Sequence, residues 1–454
     1  MSEWRELKVQ TLEDEGLIAP IQDGNHGEIH PKKADYVPSG IPFVMAKDLK
    51  DGWLDTEDCS FITKRQADSL RVGFARGNDV LLSHKGTLGR VAVVPHECEL
   101  AMLTPQVTYY RVLDPSKLDR QFLAYSLRSR RFQQQLQGYS SQSTRQYVSL
   151  RTQRELSILL PSIDEQRHIA HVLGTLDDKI ELNRRMNRTL EAIARAIFKS
   201  WFVDLDPVHA KAEGREPIGM NPETAALFPD SFQDSPLGKI PKGWEATSLG
   251  DVGIGISTGK RPKGGVRDLM EGVPSIGAEN VLGLGRYDYG KTKYVPVEFF
   301  ESMKSGIVDD RDVLLYKDGA SLGRKSYFQD GFPYQECCVN EHVFLLRTGN
   351  PHRQRYLYFW LDQPSMTEEI VNLNSNSAQP GINRGGVESL PFLVPTDDVL
   401  DAYDSLVSPV FGQLFANCLA NRALEDTRDA LLPKLLSGEN AVPGTAVGTQ
   451  QEVD

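Results

Sequence analysis

Apolar residues recur along 164–203 at the spacing of a helix seam. Counted in heptads, Leu173, Ile180, Asn187, Ala194 and Trp201 share one core position, and Leu176, Asn183, Leu190 and Ile197 share the other. The pattern predicts a long amphipathic helix behind Pro161. Asp164 is the expected N-cap, because its carboxylate can accept a hydrogen bond from a free amide of the first turn. Val172, Met186, Ile193 and Phe198 widen the stripe beyond a two-helix seam, which predicts further packing, some of it on another chain. A second long helix is expected at roughly 398–436 behind Pro395, with Pro409 marking a bend or a late start.

Upstream of each helix the pattern changes to short β-like runs bounded by Gly, Pro, Asn and Asp: VLLSHKG, VAVV and VTYYRV in the first half, VLLYKDG and VFLLR in the second. These runs repeat. GNDVLLSHKGTLGRVAVV (77–94) resembles DRDVLLYKDGASLGRKSYF (310–328), so that Asp79 and Asp312 stand 233 residues apart. IPFVMAKDL and VPSIGAENV are offset by 232, and LPSIDEQ and VPTDDVL by 234. Trp4 and Trp244 mark the start of each copy. The near-constant offset predicts two tandem α/β (α+β) heads, each followed by a long helix and related by an internal pseudo-twofold repeat. Residues 204–240, rich in Pro, Gly and Asp, form a partly ordered linker.

The 234 offset sends Asn183 to Asn417 and Asn187 to Asn421. If the helices lie antiparallel as a coiled coil, Asn183 faces Asn421 and Asn187 faces Asn417, since both pairs of numbers sum to 604. The same sum gives the apolar layers Ile180/Leu424, Leu190/Leu414, Ala194/Val410, Ile197/Val407 and Leu173/Leu431. Leu176/Arg428 breaks the series, with the Arg stem expected to cover the Leu while its head reaches water. A slipped register would strand four amides against hydrocarbon, so Asn183, Asn187, Asn417 and Asn421 are candidate register devices. A wetter face on a marginal helix is the other reading of the same residues.

With 454 residues the chain has room for two or three domains. No run of about 18 apolar residues is present and the N-terminus lacks a signal-peptide core, which predicts a cytoplasmic protein with no membrane span. Five cysteines without CxxC spacing are expected to be reduced thiols, with no metal site. The net charge of −11 argues against a nucleic-acid partner. Its distribution argues the other way: no Asp or Glu occurs from Arg120 to Arg154, where Arg120, Arg128, Arg130, Arg131, Arg145, Arg151 and Arg154 gather. A solvated helix face accounts for that run equally well.

Catalytic patterns are missing. GISTGKRPKGG (255–265) lacks the Ser or Thr of a phosphate loop and has Ile254 where Gly is required. No Asn-Pro-Pro-Tyr stretch, nucleophile elbow or carboxylate–Lys cluster occurs, and His84 and His342 look like turn and strand residues. What remains is a polar loop before each helix, GYSSQSTRQYVSLRTQR (138–154) and NLNSNSAQPGINRGG (372–386). Gln and Asn can pair with adenine, Arg with guanine, and Ser or Thr with phosphate or base. The candidates in the first head are Arg145 and Gln146, with Ser143, Thr144 and Tyr147 beside them, Lys85 and Arg90 as phosphate anchors, and Thr87 between. In the second head they are Lys317, Ser321, Arg324, Gln379, Asn383 and Arg384. A plain surface loop has similar composition, and the residues alone leave both readings open.

LPSIDEQRHIAHVLGTLDDKIELNRRMNRTLEAIARAIFKSWF, GWEATSLGDV and LEDTRDALLPKLLSGE, with the two copies, resemble the DNA specificity subunit of type I restriction–modification systems over almost the whole chain. The resemblance implies target-recognition domains at 1–161 and 241–395, spacer helices at 162–203 and 396–437, the linker at 204–240 and a flexible tail at 438–454. It implies a non-catalytic subunit, one copy per complex, that reads a bipartite asymmetric site in double-stranded DNA. Two modification subunits would dock on the helices and bring S-adenosylmethionine for adenine N6 methylation. Restriction subunits would bring ATP and Mg, leaving this chain without a cofactor. A helix of about 38 residues at 1.5 Å each is about 57 Å long, roughly one and a half turns of B-DNA. Two other readings stand beside this one: the specificity module of a type IIG/IIB-like methyltransferase-nuclease, and a coiled-coil scaffold that never meets DNA.

Overall fold

The computed structural model describes residues 4–25, 29–50, 52–56, 59–140, 147–266, 269–373 and 381–437. The chain divides into two compact units, one built from residues up to 180 together with those from 423 onward, the other from 181–422. Each contains one head and parts of both long helices.

In the first unit a six-stranded sheet runs in the order Gln22–Asp23, Val107–Tyr110, Val80–Ser83, Val91–Val93, Gly52–Leu54, Leu49–Lys50. A four-stranded sheet holds Ser60–Ile62, Ile41–Val44, Ala101–Leu103 and Phe74–Ala75. The unbroken apolar run Val80-Leu81-Leu82 reflects cover on both faces of the larger sheet. Val80 and Leu82 pack with Phe122, Leu123 and Leu127 of helix Arg120–Arg128, while Leu81 packs with Val44, Ala92 and Val107. Arg5–Lys8 pairs antiparallel with Ser157–Leu160, so the head closes immediately before its long helix.

The second unit repeats this plan. Its five-stranded sheet is ordered Gly255–Thr258, Val343–Arg347, Val313–Tyr316, Lys325–Tyr327, Gly283–Leu284, beside a three-stranded sheet of Lys293–Val295, Val273–Ile276 and Cys338–Val339. Glu245–Ser248 pairs with Pro391–Val394 to close the head. A twin ion pair marks the repeat: Arg111 binds Asp79 at 2.7 Å in the first head, and Arg347 binds Asp312 at 2.5 Å in the second. The linker contributes helices Asp206–Ala212 and Pro222–Ala226 and a hairpin of Phe232–Ser235 with Gly238–Pro241, and it buries Val208, Phe228 and Ile240 in the core of this unit.

The first long helix spans Ile163–Phe198 and ends in one wider π turn at Lys199–Val203. Its cap is Ser162 rather than Asp164. The Ser162 hydroxyl accepts from the Glu165 amide at 3.4 Å, and Asp164 and Glu165 instead place negative charge in the first turn. The second helix runs unbroken from Asp397 to Leu436, through Pro409. Proline in a helix interior costs about 3 kcal/mol. Val407 and Phe411 on either side are fully buried, and burying two such side chains contributes about 3–6 kcal/mol.

Within the second unit the helices lie antiparallel, and the four asparagines meet. Asn183 Nδ2 donates to Asn421 Oδ1 at 2.8 Å, and Asn417 Nδ2 donates to Asn187 Oδ1 at 2.9 Å. Asn187 Nδ2 also reaches the Leu414 carbonyl at 3.2 Å, and Gln413 donates to Asn417 Oδ1 at 2.9 Å. Leu190, Ala194, Ile197, Val407, Val410 and Leu414 join one apolar cluster around them. In the first unit Arg428 departs from expectation. Its head does not reach water: the residue is 6% exposed, and Nη1 binds Asp177 Oδ1 at 2.8 Å. Asp177 also takes Arg128 at 3.0 Å and the Tyr125 hydroxyl at 2.7 Å, joining both helices to the head.

Candidate nucleic-acid interface

Residues 84–90 form the turn between strands Val80–Ser83 and Val91–Val93. Gly86 and Gly89 adopt φ of +78° and +83°, conformations that side chains resist. The Ser83 hydroxyl accepts from the Arg90 amide at 2.9 Å and holds the turn shut. Lys85, Thr87 and Arg90 are exposed on it. Lys85 forms a β-bridge to Tyr147, and its ammonium lies 5.9 Å from the Tyr147 ring centroid. Beneath them His84 is fully buried, with Nδ1 2.9 Å from the Val148 carbonyl, while the Val148 amide donates to the His84 carbonyl at 3.0 Å.

The segment starting at Tyr147 is fixed from below by Gln153, a buried residue without a signature in the sequence. Gln153 accepts from the Tyr110 hydroxyl at 2.9 Å and donates to Thr108 Oγ1 at 3.1 Å and to the Val148 carbonyl at 3.2 Å. Ser149 caps the short helix Leu150–Glu155. Ser143, Thr144, Arg145 and Gln146 immediately precede Tyr147 in the chain and lie outside the described residues, as does Gln379 in the second head.

The second head builds the same scaffold with other side chains. The Ile382 amide donates to the Lys317 carbonyl at 2.9 Å, and Asp318 bridges Gly381, as His84 receives Val148 and Lys85 bridges Tyr147. Lys317 is half-buried, its ammonium 4.8 Å from the Phe344 ring centroid. Ser321 ends the turn Gly319–Ser321, followed by exposed Arg324. Asn383 occupies the position of Ser149 and does the same work: its Oδ1 accepts from the Gly386 amide at 2.8 Å. Arg384 pairs with Glu388 at 2.7 Å on that helix.

The arginine run is not a uniform basic field. Arg128 is bound to Asp177, Arg131 to Glu6 at 2.7 Å, and Arg154 to Glu13 at 2.8 Å. The carboxylates come from segments distant in the chain. Arg120, Arg130 and Arg151 are exposed. Sequence reasoning also passed over Asp318, although the 233 offset applied to Lys85 leads to it. His342 Nδ1 donates to Asp318 Oδ2 at 2.8 Å, and its Nε2 lies 3.4 Å from Glu341 Oε1. Among the described residues no three His, Cys, Asp or Glu side chains are placed to hold a metal ion, and no helix is long and apolar enough to cross a membrane.

Residues 9–192 match the type I restriction modification DNA specificity domain. The chain is 26% identical over 424 residues to the type I restriction enzyme MjaIX specificity subunit of Methanocaldococcus jannaschii, covering 90% of this chain and 88% of that one. It is 27% identical over 336 residues to the HindI specificity subunit of Haemophilus influenzae, covering 63% and 69%. In fold it is similar to the S subunit of a type I restriction–modification system from M. genitalium, with a TM-score of 0.52 over 96% of each chain at 17% identity. Residues 9–192 thus resemble the type I restriction modification DNA specificity domain, and the chain is similar along most of its length to type I restriction enzyme specificity subunits.

Proposed function

We propose that this chain reads DNA for a type I restriction–modification complex, each head recognising one half of a bipartite, asymmetric site. The observation that carries the reading is one loop scaffold built twice and dressed differently. The strand-to-strand turn and the segment before the capped short helix are joined in both heads by a matched backbone hydrogen bond and a matched β-bridge. Lys85 and Tyr147 stand on it in one, Lys317 and Asp318 in the other. A shared frame with unlike side chains is what a single chain needs to recognise a non-palindromic sequence. Lys85, Thr87, Arg90, Lys317, Ser321 and Arg324 are the proposed contacts among the described residues, with Ser143, Thr144, Arg145, Gln146 and Gln379 in the adjoining stretches of sequence.

The paired helices serve as the spacer, and the asparagine layers fix their register. Two modification subunits dock on the helices, and restriction subunits join them, with one copy of this chain per complex. The chain contributes no catalysis of its own. S-adenosylmethionine, ATP and Mg belong to the partners. Methylome sequencing of cells with and without the gene tests this reading. An adenine-methylated two-part motif should vanish with the gene; an unchanged methylome in cells that carry active partner subunits would overturn it. Binding of S-adenosylmethionine by the isolated chain would favour an enzyme instead.

A further inference from the structure

The two heads differ in charge at one matched position. Lys85 and Asp318 are 233 residues apart, each bridges the segment before the short capped helix, and each follows the residue whose carbonyl accepts the amide of Val148 or Ile382. Both are on the surface: Lys85 is exposed and the Asp318 side chain is 29% exposed. A cation there suits any DNA contact, because phosphate oxygens and the guanine O6 and N7 atoms are all acceptors. A carboxylate does not. It is acceptor-only at neutral pH and is repelled by phosphate, so at the same place it weakens binding unless a donor on a base edge faces it.

Two bases offer such a donor in the major groove. Adenine presents N6 beside the acceptor N7, which repels the second carboxylate oxygen; cytosine presents N4 without an adjacent acceptor on its own edge. We infer that Asp318 is a specificity-determining residue of the second head and accepts a hydrogen bond from the N4 amino group of a cytosine. His342, 2.8 Å from Oδ2, orients the carboxylate. The inference rests on the reading of this chain as a two-headed DNA reader.

The test is methylome mapping of the complete complex carrying Asp318→Asn or Asp318→Ala. Wild-type protein should require cytosine at one position of one half-site. The Asn variant, which both donates and accepts, should shift that position toward adenine, and the Ala variant should relax it, each by about tenfold in relative modification. The other half-site should stay as it was, which also reports that the variant folds and assembles. Unaltered preference in both variants would overturn the assignment while leaving the two-headed reader intact. Failure of the wild-type complex to modify any two-part sequence would overturn that reader, and the assignment with it.

Discussion

Lys325 packs between the second head's sheet and helix Pro364–Asn372, 4% exposed, with its amine on the Thr367 hydroxyl. Burial pulls its pKa down from 10.5 to about 8, against the opposing pull of Asp362. Between those values the unfolded chain holds a proton that the folded chain gives up, so stability rises with pH through that window. The destabilisation is fully present below about pH 8 and fades as pH approaches that of a free lysine. Lys325→Met should therefore stabilise the protein at pH 7 by about 1–3 kcal/mol, and the gain should shrink by pH 10. Urea midpoints at the two pH values check this. An equal gain at both would mean that charge burial is not the cause. Asp318 and Lys85 stand at the surface instead, where the same frame carries opposite charge.

At the scale of elements, the asparagine layers are the clearest case of a polar group with a structural task. Asn183→Leu alone removes the donor to Asn421 Oδ1 from a buried layer and should lower stability by about 1–3 kcal/mol. Replacing all four with Leu should restore it or raise it, because Leu packs acceptably at several registers. Denaturation midpoints of the single, double and quadruple variants distinguish this from independent effects, which would add. The helices and the repeated strands were legible in the sequence because both are periodic: heptads gave the seam, and the constant offset gave the second head. The Ser162 cap, the uninterrupted helix at Pro409 and the burial of Arg428 were not. The Ser162 cap is local, its partner three residues on, and Asp164 competed with it as a capping residue; the burial of Arg428 depends on partners remote in sequence, on Asp177 and through it on Tyr125 and Arg128. The arginine run misled for the same reason, since Glu6, Glu13 and Asp177 lie outside the acid-free window that made it look basic. The candidate segments were chosen by composition as loops, whereas the helices Leu150–Glu155 and Arg384–Glu388 begin within them; the backbone scaffold that holds them, and Gln153 beneath it, became visible only in three dimensions.

For the whole molecule the proposed account makes heads and helices separable. Exchanging residues 241–395 for the equivalent segment of a relative should change one half of the modified sequence and leave the other, as read by methylome sequencing; a change in both halves would mean that the heads do not read independently. The central claim is that helix register sets the spacing between the half-sites. Four residues inserted after Leu182 alone should break the matched layers, whereas four inserted in each helix at matching places should keep them and add about 6 Å. Methylation mapping with the doubly inserted protein is the most direct measurement. The account predicts the same two half-sites separated by about two more base pairs at 3.4 Å each; an unchanged spacing, from a protein that still folds and assembles, would contradict it.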